Sequence, residues 1–309
     1  SASSPLLQSW YSRSNGDALP YRYFAISNAG SIAGLLAYPI LIEPYLTSPR
    51  QAWTWSIAYC AFAALCAAVA WRTRGAQSES SPIATPPLSE CLLWIALAAC
   101  PSALLLAVTS HLTGNIAAIP FLWVLPLSLY LLSFILCFDS DRWYRRWLFA
   151  PLAAISLPVT AWLIFGAERI SDLRLLSLKS VVVLLCAAAF VLFMVCHGEL
   201  ARRRPAPARL TVFYLAIAGG GALGGVFISV AAPYCFNALY DLPIVLSLTG
   251  FLFLYLIWNA RGSSESRLVW FTLAAGFVVG FAGIFARETW KSFAYSRLLV
   301  RNFYGSLVV

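Results

Sequence analysis

The sequence predicts an all-α fold, a polytopic bundle of transmembrane helices with about nine spans. Three observations carry this. Of 309 residues 61% are hydrophobic and only 11% charged, whereas soluble domains carry about 25% charged residues. Mean hydropathy is +0.78. The apolar residues fall in long continuous runs, too much greasy surface for one water-soluble core. These features exclude disorder, a collagen-like chain and a secreted disulfide scaffold.

A bilayer core about 30 Å thick takes roughly 20 apolar residues as helix. Nine runs meet that length: 22–45, 51–71, 91–112, 116–138, 147–166, 176–196, 209–232, 241–259 and 268–286. They do not alternate apolar with polar, so helices rather than barrel strands satisfy the backbone in lipid. Tyr21 and Tyr23 stand at the start of the first span, and Trp53 and Trp71 at the two ends of the second. Trp143, Tyr144 and Trp147 open the fifth, and Trp258 and Trp270 flank the loop after the eighth. Such rings favour the headgroup level. The polar stretch from Arg72 to Glu90 is rich in Ser and Pro and reads as a surface loop. His111 to Asn115 reads as a tight turn between spans three and four. Residues 1–309 form a single integral membrane domain, with 287–309 as a C-terminal tail.

The formal charge is +9, from 21 Lys and Arg against 12 Asp and Glu. The basic residues sit in short loops between apolar runs, which points to topology and lipid headgroups rather than nucleic acid. Thirteen of the 21 fall on the side that holds the N-terminus and eight on the other, four of those in the tail. The first side is therefore expected to be cytoplasmic, with the tail opposite. The eight cysteines form no CxxC pair and read as small buried hydrophobes. No signal-peptide pattern precedes the first span. The start at Ser1 reads as the inside of a longer polypeptide or as a processed end.

Candidate chemistry is sparse. Glu43, between Pro39 and Pro44 at the end of the first span, is an acid near apolar depth and so a functional candidate. His111 and Asn115 lie on the same side. The three could converge on a cation or amine, or Glu43 could simply reach interfacial water while His111 caps a turn. His197 and Glu199 end the sixth span, followed by Arg202, Arg203 and Arg204. A proton relay or metal site is one reading of that group. The favoured one is arginine anchoring to headgroups, with a solvated His–Glu pair, because residues two apart on a helix do not face each other. No Cys/His cluster has zinc spacing, no GxSxG occurs, and no metal or cofactor is expected. Glycine pairs at Gly30/Gly34, Gly220/Gly224, Gly221/Gly225 and Gly276/Gly280 have GxxxG spacing, which lets helices approach closely.

Several stretches act together as a signature. Pro5 to Tyr11, Ala25 to Ser31 and Leu36 to Pro44 form one block. His111-Leu112-Thr113 leads to Ile119–Phe134, and Cys196–Ala201 precedes an Arg/Pro loop and the glycine ladder. Together they resemble the membrane domain of bacterial fused transporter-like/spermidine synthase proteins, over most of residues 5–260. The resemblance implies a helical domain that is major-facilitator-like at most in part, in the bacterial cytoplasmic membrane. In that family a synthase-like domain follows, and Arg301–Gly305 resembles the start of it. The fold that would bind decarboxylated S-adenosylmethionine is not in these residues, so no enzymatic activity is expected of them. The resemblance also implies further helices before Pro5 and between spans eight and nine, so the chain reads either as a fragment or as a reduced, split relative.

Two functions of different class follow as expectations. One is a non-catalytic membrane domain that binds or transports a small cationic, polyamine-like solute through Glu43, His111 and Asn115. The other is an accessory subunit of a larger membrane complex, contacting lipid and other subunits through glycine ladders and aromatic faces.

Overall fold

The computed structural model describes residues 21–72, 86–115, 121–165, 178–206, 209–259, 264–295, 299–302 and 305–308. Helix α1 (Tyr21–Ala37) runs into a π-helical turn (Tyr38–Ile42), and α2 (Ser48–Arg72) follows. Next come α3 (Leu88–Asn115), α4 (Phe121–Asp139), α5 (Arg146–Phe165) and α6 (Leu178–Arg202). Helix α7 (Leu210–Val226) passes through a second π-turn (Phe227–Ala231) into the short α8 (Ala232–Cys235). Helices α9 (Asp241–Trp258) and α10 (Ser264–Tyr295) complete the bundle. The protein is thus an all-α, multi-pass integral membrane protein. Among the described residues eight helical stretches are long and apolar enough to cross a bilayer. The ninth expected span, 268–286, lies within α10.

Helix α3 is the centre of the bundle. It packs most extensively on α7, and also on α6, α4 and α9, while α6 packs on α4 and α5. Trp94, Leu97 and Leu104 of α3 are fully buried with Phe138, Phe193, Leu200 and Phe213. Outside this core, α1 rests on α4 and α10 on α9. Helix α2 differs from every other span, because none of its 25 residues is buried. It is held at its start by Gln51, whose Nε2 donates to the Leu46 carbonyl at 2.8 Å. Exposed Trp53, Trp71, Trp143, Trp147 and Trp258 lie at helix edges, where rings of this kind meet lipid headgroups.

Three boundaries differ from expectation for physical reasons. The apolar run ends at Cys196, but α6 continues to Arg202, because the charged residues beyond it are paired inside the protein. His111 and Thr113 lie in the last turns of α3, not in a tight turn. There the Thr113 hydroxyl donates to the Thr109 carbonyl at 2.9 Å, along the helix. The expected tail 287–309 begins as helix: α10 has 32 residues, about 48 Å at 1.5 Å per residue, longer than a bilayer core is thick. After it, β1 (Leu299–Asn302) and β2 (Gly305–Val308) pair as an antiparallel hairpin. Most of the Ser/Pro-rich stretch after Arg72 lies outside the described residues.

Candidate functional site

The polar centre of the molecule is at one end of the bundle, where α4, the α4–α5 connection, α5 and α6 meet. Glu199 is 2% exposed there. Its two carboxylate oxygens are fully engaged. Tyr144 Oη donates to Oε1 at 3.0 Å. Arg146 forks onto the carboxylate, Nε to Oε1 and Nη2 to Oε2, each at 2.5 Å. Arg203 Nη1 donates to Oε2 and, one turn back, to the Glu199 carbonyl at 3.0 Å. A carboxylate offers about four lone-pair sites, and four donors fill them. Trp94 Nε1 then donates to the Arg203 carbonyl at 3.2 Å, which ties the start of α3 to the end of α6.

The sequence builds this locally. Gly198 leaves a gap on α6 into which the Tyr144 ring lies, and a Cβ there would overlap the ring. That seat brings the hydroxyl to Glu199, one residue on. Burial, and after it the Glu199 carboxylate, push the Tyr144 phenol far above its ordinary value, so it stays protonated and donating. The cluster of Arg146, Arg203 and Glu199 keeps a net positive charge.

His197, fully buried on the same helix, serves a different neighbourhood. Its Nδ1 lies 2.7 Å from Ser133 Oγ of α4. Phe134 lies tilted against it at a centroid distance of 3.7 Å, and the Tyr130 ring meets it edge-on at 5.0 Å. Its Nε2 has no hydrogen-bond partner among the described residues. The expected solvated His–Glu pair is therefore not what forms. Both groups are buried and face different helices, and Glu199, with every acceptor site taken, has no vacancy for passing a proton to His197. Among the described residues no group of three His, Cys, Asp or Glu could hold a metal.

The arginines divide. Arg203 belongs to the clamp. Arg204 pairs with Asp141 at 3.4 Å. Arg202 is exposed. Only the last matches simple anchoring at a surface.

Glu43 is exposed at the end of the first π-turn, where its backbone N–H donates to the Tyr38 carbonyl at 2.8 Å. His111 is half-buried in α3, and the Asn115 side chain lies outside the described residues. No hydrogen bond or ion pair joins Glu43 to His111 among the described residues.

The glycines also divide. A Cβ on Gly220 would sit 2.5 Å from the Ile95 carbonyl oxygen, and one on Gly224 only 3.0 Å from the Ala103 nitrogen. These two are where α7 touches the α3 backbone. Ser102 Oγ closes the same seam by donating to the Gly221 carbonyl at 2.9 Å. Gly225 makes one ordinary contact, to Leu106 at 3.9 Å. An added Cβ at Gly30, Gly34, Gly221, Gly276 or Gly280 would meet nothing within 4 Å among the described residues. Two close approaches went unforeseen, Gly198 on Tyr144 and Gly250 on Val278 of α10. Gly250 carried no sequence signal, since it stands alone in its span.

No family model, curated protein or solved structure matches the chain.

Proposed function

We propose that the protein is a non-catalytic membrane domain that works as one component of a larger assembly in the bacterial cytoplasmic membrane. The observation that supports this is α2. Its 25 residues include no buried one, and it exposes Trp55, Ile57, Tyr59, Phe62 and Leu65 along its length. Gly30 and Gly34 on α1 leave a second face with room for close approach. Helices associate in lipid through packing at small residues rather than through hydrophobic driving force, and among the described residues nothing covers these faces against a neighbouring membrane helix. Lipid covers whatever a neighbour does not.

The exposed Cys60 lies within α2 and supplies the test. A short bifunctional maleimide applied to native membranes is expected to join Cys60 to a neighbouring membrane polypeptide, and Cys60→Ser is expected to abolish that product. Native mass after mild solubilisation should exceed that of one chain. A monomer, with no product dependent on Cys60, would sink the reading.

A second reading is favoured by one observation and by the family resemblance. Glu43 sits at a π-turn, and such turns recur at functional sites in helices. On this reading the domain binds or moves a small cationic, polyamine-like solute. Saturable uptake of radiolabelled spermidine into proteoliposomes is then expected, reduced at least tenfold in Glu43→Gln. Equal uptake by the variant and the parent removes Glu43 from the site.

A further inference from the structure

Beside the Glu199 clamp lies a cleft of 330 Å³ that the clamp does not use. Gly198 and Ala201 of α6 form its floor, Tyr144 its wall, and Arg202, Arg204 and Asp141 its rim. The clamp determines the charge of this cleft. Glu199 is saturated by Tyr144, Arg146 and Arg203, so it neutralises neither rim arginine. Asp141 is the one acid lining the cleft. Its side chain is 70% exposed and meets Arg204 at 3.4 Å, well beyond the 2.7–2.9 Å of a strong charged contact. Arg202 is exposed and has no carboxylate partner among the described residues. The rim therefore keeps a surplus positive charge on groups whose forked donors match phosphate oxygens.

Depth and size point to the occupant. Trp143 and Trp147, 53% and 71% exposed, flank Tyr144 at the same end of the bundle and mark the headgroup level. The volume is at the small end of ligand pockets. It suits a glycerophosphate headgroup whose acyl chains stay in the bilayer, and not a whole lipid.

We propose that this cleft is a phosphate site, filled from the bilayer by the headgroup of an anionic phospholipid, with Arg202 and Arg204 on the phosphate. The Gly198 floor and the Tyr144 wall give it shape, and the clamp holds that wall in place.

The full chain is reconstituted in nanodiscs of phosphatidylcholine with one fifth phosphatidylglycerol, and retained lipid is counted by native mass spectrometry after release. The parent is expected to retain phosphatidylglycerol in marked preference to phosphatidylcholine. Arg202→Ala/Arg204→Ala is expected to lose that preference by on the order of tenfold or more, a loss of about 1.4 kcal/mol or more. Arg202→Lys/Arg204→Lys keeps the charge but not the forks and should lose part of it. Arg142→Ala removes an exposed charge from the same end of the molecule, outside the cleft, and should leave retention unchanged. Equal loss in Arg142→Ala and the double alanine variant would reduce the effect to diffuse attraction and overturn the proposal. So would unchanged retention in both double variants. If glycerol 3-phosphate binds with dependence on Arg202 and Arg204 while both lipids are retained equally, the bilayer source is overturned. Unfolding midpoints taken alongside separate loss of the site from loss of the fold.

Discussion

Replacing Glu199 by alanine will destabilise the protein by about 2–4 kcal/mol. Breaking a buried ion pair by removing one partner costs about 3–5 kcal/mol, because the other charge stays behind unpaired. Here the Glu199 side chain is 3% exposed, but Arg146 keeps 38% and Arg203 23% of its side chain in contact with solvent. Water therefore compensates the stranded arginines in part, and the estimate falls below the full-burial range. Tyr144 also loses its acceptor, and with it the reason to lie over Gly198. The measurement is the free energy of unfolding in mixed micelles. A change under about 0.5 kcal/mol, the range of an ordinary surface substitution, would show that the carboxylate does not hold this end together. The combined replacement of Arg146, Glu199 and Arg203 by leucine should cost less than Glu199→Ala alone, since it leaves no uncompensated charge behind.

Substitution of Gly224 by alanine comes next in size, with an expected loss of about 1–3 kcal/mol, the usual cost of forcing a methyl into a closed contact. No flexible side chain can yield at this point. The opposing atoms are backbone, the Ala99 carbonyl and the Ala103 nitrogen. Gly220→Ala meets the Ile95 carbonyl and should behave alike. The same helix supplies the control. Gly219 and Gly221 have nothing within 4 Å of an added Cβ, so alanine there is expected to be neutral or mildly stabilising, given its better helix propensity. If all four variants lose stability equally, the seam between α3 and α7 is not the cause.

These two sites show what was legible in the residues and what was not. The spans follow from uninterrupted apolar runs, since lipid imposes one requirement that every residue of a run must meet. The ends are less legible, because a charge stops an apolar run but not a helix whose charge finds a partner, as at Glu199. Pairing is not legible at all. Glu199 has Arg202, Arg203 and Arg204 as near neighbours, yet its forked partner is Arg146, 53 positions away. Nothing in the spacing selects it. GxxxG spacing is likewise shared by Gly220/Gly224 and Gly276/Gly280, while among the described residues only the first pair closes on a neighbour. The difference lies in what stands opposite, which is tertiary. His197 looked solvated because three arginines follow it. Its burial depends on Phe134 and Tyr130, contributed by α4.

The second π-turn has a consequence for the seam it follows. Gly220, Gly224, Ile228 and Ala232 are all buried, one every four positions. In an unbroken α-helix of 3.6 residues per turn, four positions overshoot a full revolution by about 40°, so such a stripe wanders around the cylinder. A π-turn, closed by bonds from residue i to i+5, rotates less per residue. The bond from the Ala232 N–H to the Phe227 carbonyl winds the stripe back. The wide turn works as a phase correction, aiming one row of small and branched residues along a single line from mid-membrane to the far rim.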